Sequence, residues 1–346
     1  MKKIALITGI SGQDGAYLSE FLISKNYKVI GTVKNKSKKY LWRIDKLGIR
    51  KKLIILKLNI CDELAIRKIL NKYKVDEFYN LAAQSYVSKS FNNPIKTSEV
   101  NGIAVIKILE NIRKLKNKLK FYQASSSEMY GGSKNYKLDE LSKFNPQSPY
   151  AISKLFSHHI ISYYRQTYNL YAVSGILFNH DSPLRDENFV TKKIIKGLID
   201  IMNKKKKFIE LGNINAKRDW GYAKEFVEQI WKMMQLKNPQ DFVIATGKSY
   251  SIKEFIDIAT EYLKINSKWI GKKSNLKLVN LETKKIIIKI NKKYFRPAEV
   301  EYTRGGIYKA KKLLNWKPKT DLKKLVKIMI DEELNLNKKL KSKIGI

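Results

Sequence analysis

Three glycines directly behind an apolar strand constrain this chain more than any other feature. Lys3–Thr8 reads as a strand, and Gly9-x-x-Gly12-x-x-Gly15 follows it. The next segment, Ala16–Lys25, reads as a helix with Leu18, Phe21 and Leu22 on one face. Glycines so placed permit a tight turn and let the backbone approach a pyrophosphate at a helix N-terminus. The segment Gly9, Gly12, Gln13, Asp14 and Gly15 is therefore the candidate cofactor loop.

Alternation continues behind the loop. Strands are predicted at Lys28–Val33, Leu53–Leu58, Glu77–Asn80, Leu119–Ser125 and Leu170–Leu177, and helices at Ala65–Tyr73, Thr97–Lys114 and Tyr150–Thr167. This order implies an α/β fold, a doubly wound parallel sheet covered by helices on both faces. After Phe178 the pattern becomes irregular. Phe242–Ala245 could rejoin the sheet, Ile252–Leu263 is an amphipathic helix, and about 265 to 300 reads as basic and irregular. Helices over Ile307–Leu314 and Leu322–Leu336 end the chain.

Composition excludes several classes. An apolar share of 43% in 346 residues supplies a core, so the chain is not disordered. The single cysteine, Cys61, allows no internal disulfide and fits a reducing, cytoplasmic setting. No stretch approaches the ~18 apolar residues of a membrane span. The charge of +39 invites a nucleic-acid reading, but the lysines are scattered, so no specific nucleic-acid partner is expected. His158, His159 and His180 lack metal-ligand spacing, so no metal is expected.

The chemistry concentrates in Ser125-Ser126-Ser127-Glu128 and in Tyr150…Lys154. Tyr and Lys four apart share one helix face, and an ammonium there favours the phenolate. Such a phenol can take a hydroxyl proton while a hydride leaves the same carbon. A carboxylate is the extra group needed to take a second proton beside the new ketone, so Glu128 points to oxidation coupled to loss of water. After the second strand, Lys34-Asn35-Lys36 offers cations and no acid, which suits a 2′-phosphate and hence NADP rather than NAD. Small residues in Asn80–Ser85, with Leu81 and Ala83, let a cofactor approach the fourth strand.

The stretches ITGISGQDGAYLSEFL, NLAAQSYVSKSF, FYQASSSEMYG, SPYAISK, GILFNHDSPLRDENFVTKKI, LGNINAKRDWGYAKEFV, DFVIATG and YFRPAEVE resemble the GDP-mannose 4,6-dehydratase family of extended short-chain dehydrogenases. The resemblance implies a Rossmann sheet with a smaller, mostly C-terminal α/β substrate domain. It places an NADP-binding domain at 1–180 with return segments near 212–250, and a GDP-sugar domain at 181–211 and 265–346. It implies that Ser126 binds the sugar O4, that Glu128 is the acid/base, and that Tyr150 is the base with Lys154 its partner. Tyr150 and Lys154 would also touch the cofactor, as would Asn59 and Ile60 at the third strand end. Ser85 and Asn179 would contact the nucleotide-sugar, Val190 and Lys193 the guanine, Arg218 and Arg296 the diphosphate, and Glu299 the nucleotide. A homodimer or homotetramer is implied as well.

The chain departs from the family at three points. Lys34-Asn35 replaces Arg-Arg, although Arg43-Ile44-Asp45 still fits a cofactor role; Asn59 replaces an Asp; and Leu184 replaces an Arg in Ser182-Pro183-Leu184-Arg185. The last change could open room at C6, which keeps a GDP-manno-heptose substrate as an alternative. A GDP-4-keto-6-deoxy-sugar reductase is a more distant one, since it would not need Glu128. The expected reaction is conversion of GDP-α-D-mannose to its 4-keto-6-deoxy sugar and water.

Overall fold

The computed structural model describes residues 2–115, 119–131 and 137–344. Seven parallel strands form the central sheet in the order Phe242–Ile244, Ala172–Leu177, Lys120–Ser126, Glu77–Asn80, Ile4–Thr8, Lys28–Val33, Leu53–Lys57. The order reverses direction beside Ile4–Thr8, and that switch point is where α/β sheets open a crevice at their carboxyl ends. The strands read as nearly continuous apolar runs because helices cover both faces. Ala172–Leu177, for example, is buried at every residue.

Local signals explain where the covering helices start. Gly12 caps Gln13–Ser24, with Asp14 in the first turn. Asp62 accepts from the Ala65 amide at 3.0 Å and starts Glu63–Lys72. Ser148 accepts from the Ala151 amide at 3.1 Å, and Pro149 occupies the first turn of Pro149–Thr167. Ser251 and Glu254 form a capping box at the start of Ile252–Tyr262.

The helix expected over Thr97–Lys114 is divided into Pro94–Ser98, a π-turn at Glu99–Ile103, and Ala104–Arg113. The widened turn carries Asn101, whose side chain accepts from the Gln84 amide at 2.9 Å and donates to the Gln84 carbonyl at 3.1 Å. Long-range pairing of this kind leaves no periodic trace in a sequence.

A second sheet lies outside the first. Its order is Ser267–Ile270, Lys277–Asn280, Ile286–Ile290, Ile209–Leu211. The stretch read as irregular between 265 and 300 thus supplies three of its four strands. Lysines mask them in the sequence, because a lysine can lie along an apolar surface with its ammonium in water. Lys289, for one, sits 3.9 Å from the Phe208 ring centroid. Helices Lys38–Lys46, Val190–Met202 and Ala223–Gln235 also went unread.

Two apolar clusters back these sheets near the site. One joins Ile7, Tyr122 and Ile176 to Phe226, Phe242 and Trp316. The other gathers Ile194, Leu198, Ile209, Trp220, Phe255, Ile288 and Met329. Each fully buried Leu, Ile or Phe contributes roughly 1.5–3 kcal/mol. The helix Tyr308–Leu314 packs into the first cluster, while Ile252–Tyr262 packs into the second. Leu184 belongs to the first cluster too and is 1% exposed. It does not line the cleft described below. Its carbonyl instead accepts from Arg43 Nε at 2.6 Å. No helix among the described residues is long and apolar enough to cross a membrane.

Candidate active site

The carboxyl ends of the sheet and the second core enclose a cleft of about 340 Å³. Its floor comes from the strand Lys120–Ser126 and the 3₁₀ turn Ser127–Tyr130 that follows. Ser126 ends the strand, and its hydroxyl accepts from the Glu128 amide at 3.2 Å. That bond starts the turn and turns Glu128 into the cleft. Tyr150 and Lys154 face it from the buried side of the helix Pro149–Thr167. The four residues expected to carry chemistry therefore line one wall.

Burial dominates their electrostatics. It pushes the Tyr150 phenol up to about 12; the Ser126 hydroxyl opposes the rise by hydrogen bonding, and the Glu128 charge adds to it. Burial also brings the Lys154 ammonium down to about 8. Lys154 Nζ donates to the Ala124 carbonyl at 2.8 Å and lies 5.9 Å from the Tyr150 ring centroid. Burial thus works against the partial ionisation that the sequence suggested Lys154 would support. Removal of the ring from water is the largest cause of that rise.

The opposite wall is cationic. Arg218 is 7% exposed and lies on the short strand Lys217–Arg218. Its Nη1 donates to the Lys217 carbonyl at 2.9 Å and its Nη2 to Glu299 Oε1 at 2.9 Å. Burial works against the Arg218 charge, while Glu128 and Glu299 support it. Arg296 follows the turn Lys292–Tyr294, and its Nη1 lies 3.6 Å from Glu128 Oε1. Val190 and Lys193 begin the helix Val190–Met202 at the far end of the cleft. Lys193 Nζ donates to the Glu210 carbonyl at 2.7 Å and sits 4.1 Å from the Tyr294 ring centroid. Asn179, Ser85, Leu81, Ala83 and Asp14 complete the wall among the residues read from sequence.

The remaining candidates lie outside this wall. Lys34 and Asn59 are exposed, and Ile60 is buried just beyond the third strand. The chain offers a cradle for a dinucleotide. Gly9 has φ +68°, and a Cβ there would meet the Ala82 backbone nitrogen at 2.8 Å. A Cβ on Gly12 would meet only the Gly9 carbonyl, at 3.2 Å, and would otherwise fill the open space above the helix Gln13–Ser24. Amide groups and the helix dipole face that space, as a pyrophosphate requires. Two expected cofactor contacts are otherwise engaged. The Gln13 amide donates to the His180 carbonyl at 3.1 Å and accepts from Ser182 Oγ at 2.7 Å. Asp14 Oδ2 lies 2.9 Å from His180 Nε2. Arg43, which fitted a cofactor role, faces inward at 9% exposure and donates to the Ser11 carbonyl at 3.1 Å.

His180 lies next to Asn179 on the short strand Asn179–Asp181. It stacks on Phe226 at 4.7 Å, and its Nδ1 lies 2.6 Å from the Phe178 carbonyl. Both partners of the ring are acceptors, so only an imidazolium satisfies both. Burial opposes that charge, but Asp14 overrides it and raises His180 above its ordinary value. Tyr86 and Phe189, with ring centroids 6.0 Å apart, and Arg185, 3.6 Å from the Phe189 ring centroid, also line the cleft. Their adjacency to Ser85 and Val190 was the available signal.

Comparisons with known proteins bear on descent and fold. The family described as GDP-mannose 4,6 dehydratase matches residues 6–329. GDP-mannose 4,6 dehydratase of Drosophila melanogaster is 42% identical over 347 residues, covering 97% of this chain and 87% of the relative. The Vibrio cholerae GDP-mannose 4,6-dehydratase is 42% identical over 350 residues, covering 96% and 94%. Among solved structures, dTDP-glucose 4,6-dehydratase from Bacillus anthracis in complex with NAD superposes with TM-score 0.80 at 17% identity, covering 97% of this chain and 98% of that one. RMD from Pseudomonas aeruginosa complexed with NADPH gives 0.76 at 17% identity, covering 97% and 100%. At that identity the structures speak to the fold, whereas the family match and the sequence relatives speak to descent. The chain belongs to the GDP-mannose 4,6-dehydratase family.

Proposed function

We propose that this enzyme converts GDP-α-D-mannose to GDP-4-keto-6-deoxy-D-mannose and water. The observation that carries the reading is one cleft lined by Ser126, Glu128, Tyr150 and Lys154 on one side and by Arg218 and Arg296 on the other. A reductase would need the Tyr–Lys pair and not the carboxylate. Leu184 is buried outside the cleft lining, which supports the hexose over the heptose.

A nicotinamide dinucleotide bound at the glycine loop would supply the acceptor, and later the donor, of one hydride. Gly9, Gly12 and Gly15 would take its pyrophosphate, Asn59 and Ile60 its adenine side, and Leu81 and Ala83 would flank the nicotinamide. Lys34 is exposed in a carboxylate-free loop, which favours NADP over NAD. Tyr150 takes the O4 proton while Ser126 orients O4. Lys154 offsets the charge that the phenol acquires. Once C4 is a ketone, the C5 hydrogen is acidic; Glu128 removes it and delivers it to the departing C6 hydroxyl, and return of the hydride to C6 would leave C5 to take back the proton first lost from O4. Arg218 and Arg296 hold the diphosphate so that the sugar reaches this wall. Positioned acid–base groups contribute ~10²–10⁴-fold each.

The sequence division, with the cofactor domain at 1–180 and 212–250 and the sugar domain at 181–211 and 265–346, is kept as part of this reading. So is a cytoplasmic setting. The chain works as a homodimer or homotetramer in this proposal, supported by an apolar face on adjoining helices. Ile95 is 77% exposed, Ile103 46%, Ile152 57% and Phe156 42%. Singly exposed apolar residues are ordinary, but a contiguous set marks an interface.

Incubation with GDP-mannose, followed by mass spectrometry, tests the function. Loss of one water without added cofactor is expected; a product two hydrogens heavier or no product rejects it. The same reaction with GDP-D-glycero-manno-heptose should be slower.

A further inference from the structure

The two arginines of the cationic wall are not held alike. Arg218 is buried, sits on a strand, and is fixed by two bonds of 2.9 Å. The Arg296 side chain is 28% exposed and lies on a loop. Its separation of 3.6 Å from Glu128 Oε1 is too long for the charge-assisted hydrogen bond of about 2.7–2.9 Å that a fixed pair would make. The pair attracts, yet neither group is locked to the other.

The charges around Glu128 balance as they stand. Arg296 and Arg218 face it from the second core and Tyr150 stands on its own wall, while Glu299 occupies Arg218. Two guanidinium groups therefore meet two carboxylates. A diphosphate entering this cleft finds both arginines already beside carboxylates, with Lys154, Arg185 and Lys193 among the other cations of the lining. Of the two arginines, the loosely held Arg296 is the one that can move toward it.

We infer that Arg296 is shared between two anions: it guards Glu128 in the substrate-free enzyme and transfers to the diphosphate when the GDP-sugar binds, freeing Glu128 for proton transfer. This rests on the dehydratase reading and deepens it. The carboxylate is neutralised until a nucleotide-sugar is in place, and only then is it left facing C5 without a counter-ion. Arg296 is a binding residue whose departure, not its presence, prepares the base. Linkage makes the exchange reciprocal: if the diphosphate weakens Glu128's hold on Arg296, Glu128 weakens the hold on the diphosphate.

The test is a double-mutant cycle on GDP affinity, read by calorimetry on the intact protein, with no turnover involved. Glu128→Gln keeps the shape of the side chain and removes the competitor, so it should tighten GDP binding by at least ~5-fold, the lower end of ordinary site coupling. In an Arg296→Met background the same change should tighten binding by less than about 2-fold, since only direct repulsion of the diphosphate remains. Arg296→Gln serves as a second background should the methionine variant fold poorly. Equal tightening in both backgrounds means simple repulsion and overturns the exchange. No tightening in either overturns it as well. If the parent enzyme does not bind GDP at all, the dehydratase reading itself fails, and that result is distinct from both.

Discussion

Asp14→Asn is the perturbation whose effect can be worked most directly from the structure. His180 has acceptors on both ring nitrogens, the Phe178 carbonyl at 2.6 Å and Asp14 Oδ2 at 2.9 Å. Only the protonated ring donates to both. The Asp14 carboxyl is lowered from 3.8 to about 2, because His180 overcomes the burial that opposes its charge. At ~1.36 kcal/mol per unit, this amounts to about 2 kcal/mol of native stability. The Asp14 side chain is 24% exposed, so solvent screens part of this and the figure is a ceiling.

The sign follows from the two groups separately. The Asp14 contribution is present above its unfolded value and is lost as pH falls toward about 2. The His180 contribution is present below about 6.5, its ordinary value, and is lost as pH rises through its raised folded value. The pair is therefore at full strength between about pH 4 and 6.5. Asparagine cannot offer the charge, but above that window its amide can donate to an unprotonated Nε2, which the carboxylate cannot satisfy. Urea denaturation followed by tryptophan fluorescence should show Asp14→Asn destabilised by roughly 1–2 kcal/mol near pH 5.5, and by less than about 0.5 kcal/mol near pH 9. Equal losses at both values would refute the charge argument and leave only packing. A larger loss at the alkaline value would refute the assignment of the imidazolium.

Three further outcomes are expected. Glu128→Gln should lower water loss ~10²–10⁴-fold while leaving cofactor affinity unchanged; fluorescence titration with NADPH and mass spectrometry of the product separate the two. Lys154→Met should cost most at neutral pH, where an ammonium brought down to about 8 is still protonated, and the penalty should shrink above about pH 9, where the parent enzyme has lost that charge too. A penalty that does not vary with pH in single-turnover rates contradicts this. Lys34→Glu should shift preference from NADP toward NAD by about tenfold, the equivalent of one charge-assisted contact, as read from the dinucleotide retained after exchange.

The first half of the fold was legible because its signals are local. Apolar runs bounded by glycine, and capping residues at Asp62 and Ser148, fix elements whatever surrounds them. Glu77–Asn80 and Lys28–Val33 emerge with the bounds that the pattern gave. The second sheet was not legible, since its strands are short and carry lysine on their solvent sides, so composition hid the period. Ile286–Ile290 is the instructive case: three isoleucines in a row are a strand signal, but flanking lysines on both sides made the whole stretch read as a charged loop.

Legibility of the site divides in the same way. Ser126, Glu128, Tyr150 and Lys154 sit on two elements that the sequence places, so their meeting needs only the parallel sheet. Glu128 and Arg296, or Asp14 and His180, meet through packing between parts far apart in the chain, and no periodicity encodes such a meeting. This has a mechanistic consequence. The reacting wall belongs to the central sheet, whereas Arg218 and Arg296 are placed by the second core, through the pairing of Lys217–Arg218 with Tyr250–Ser251 and the turn at Lys292–Tyr294. A change that loosens the second core moves the cations relative to Glu128 without touching an acid or a base. It should therefore raise KM for the GDP-sugar first, and reach kcat only when the sugar no longer settles against Tyr150.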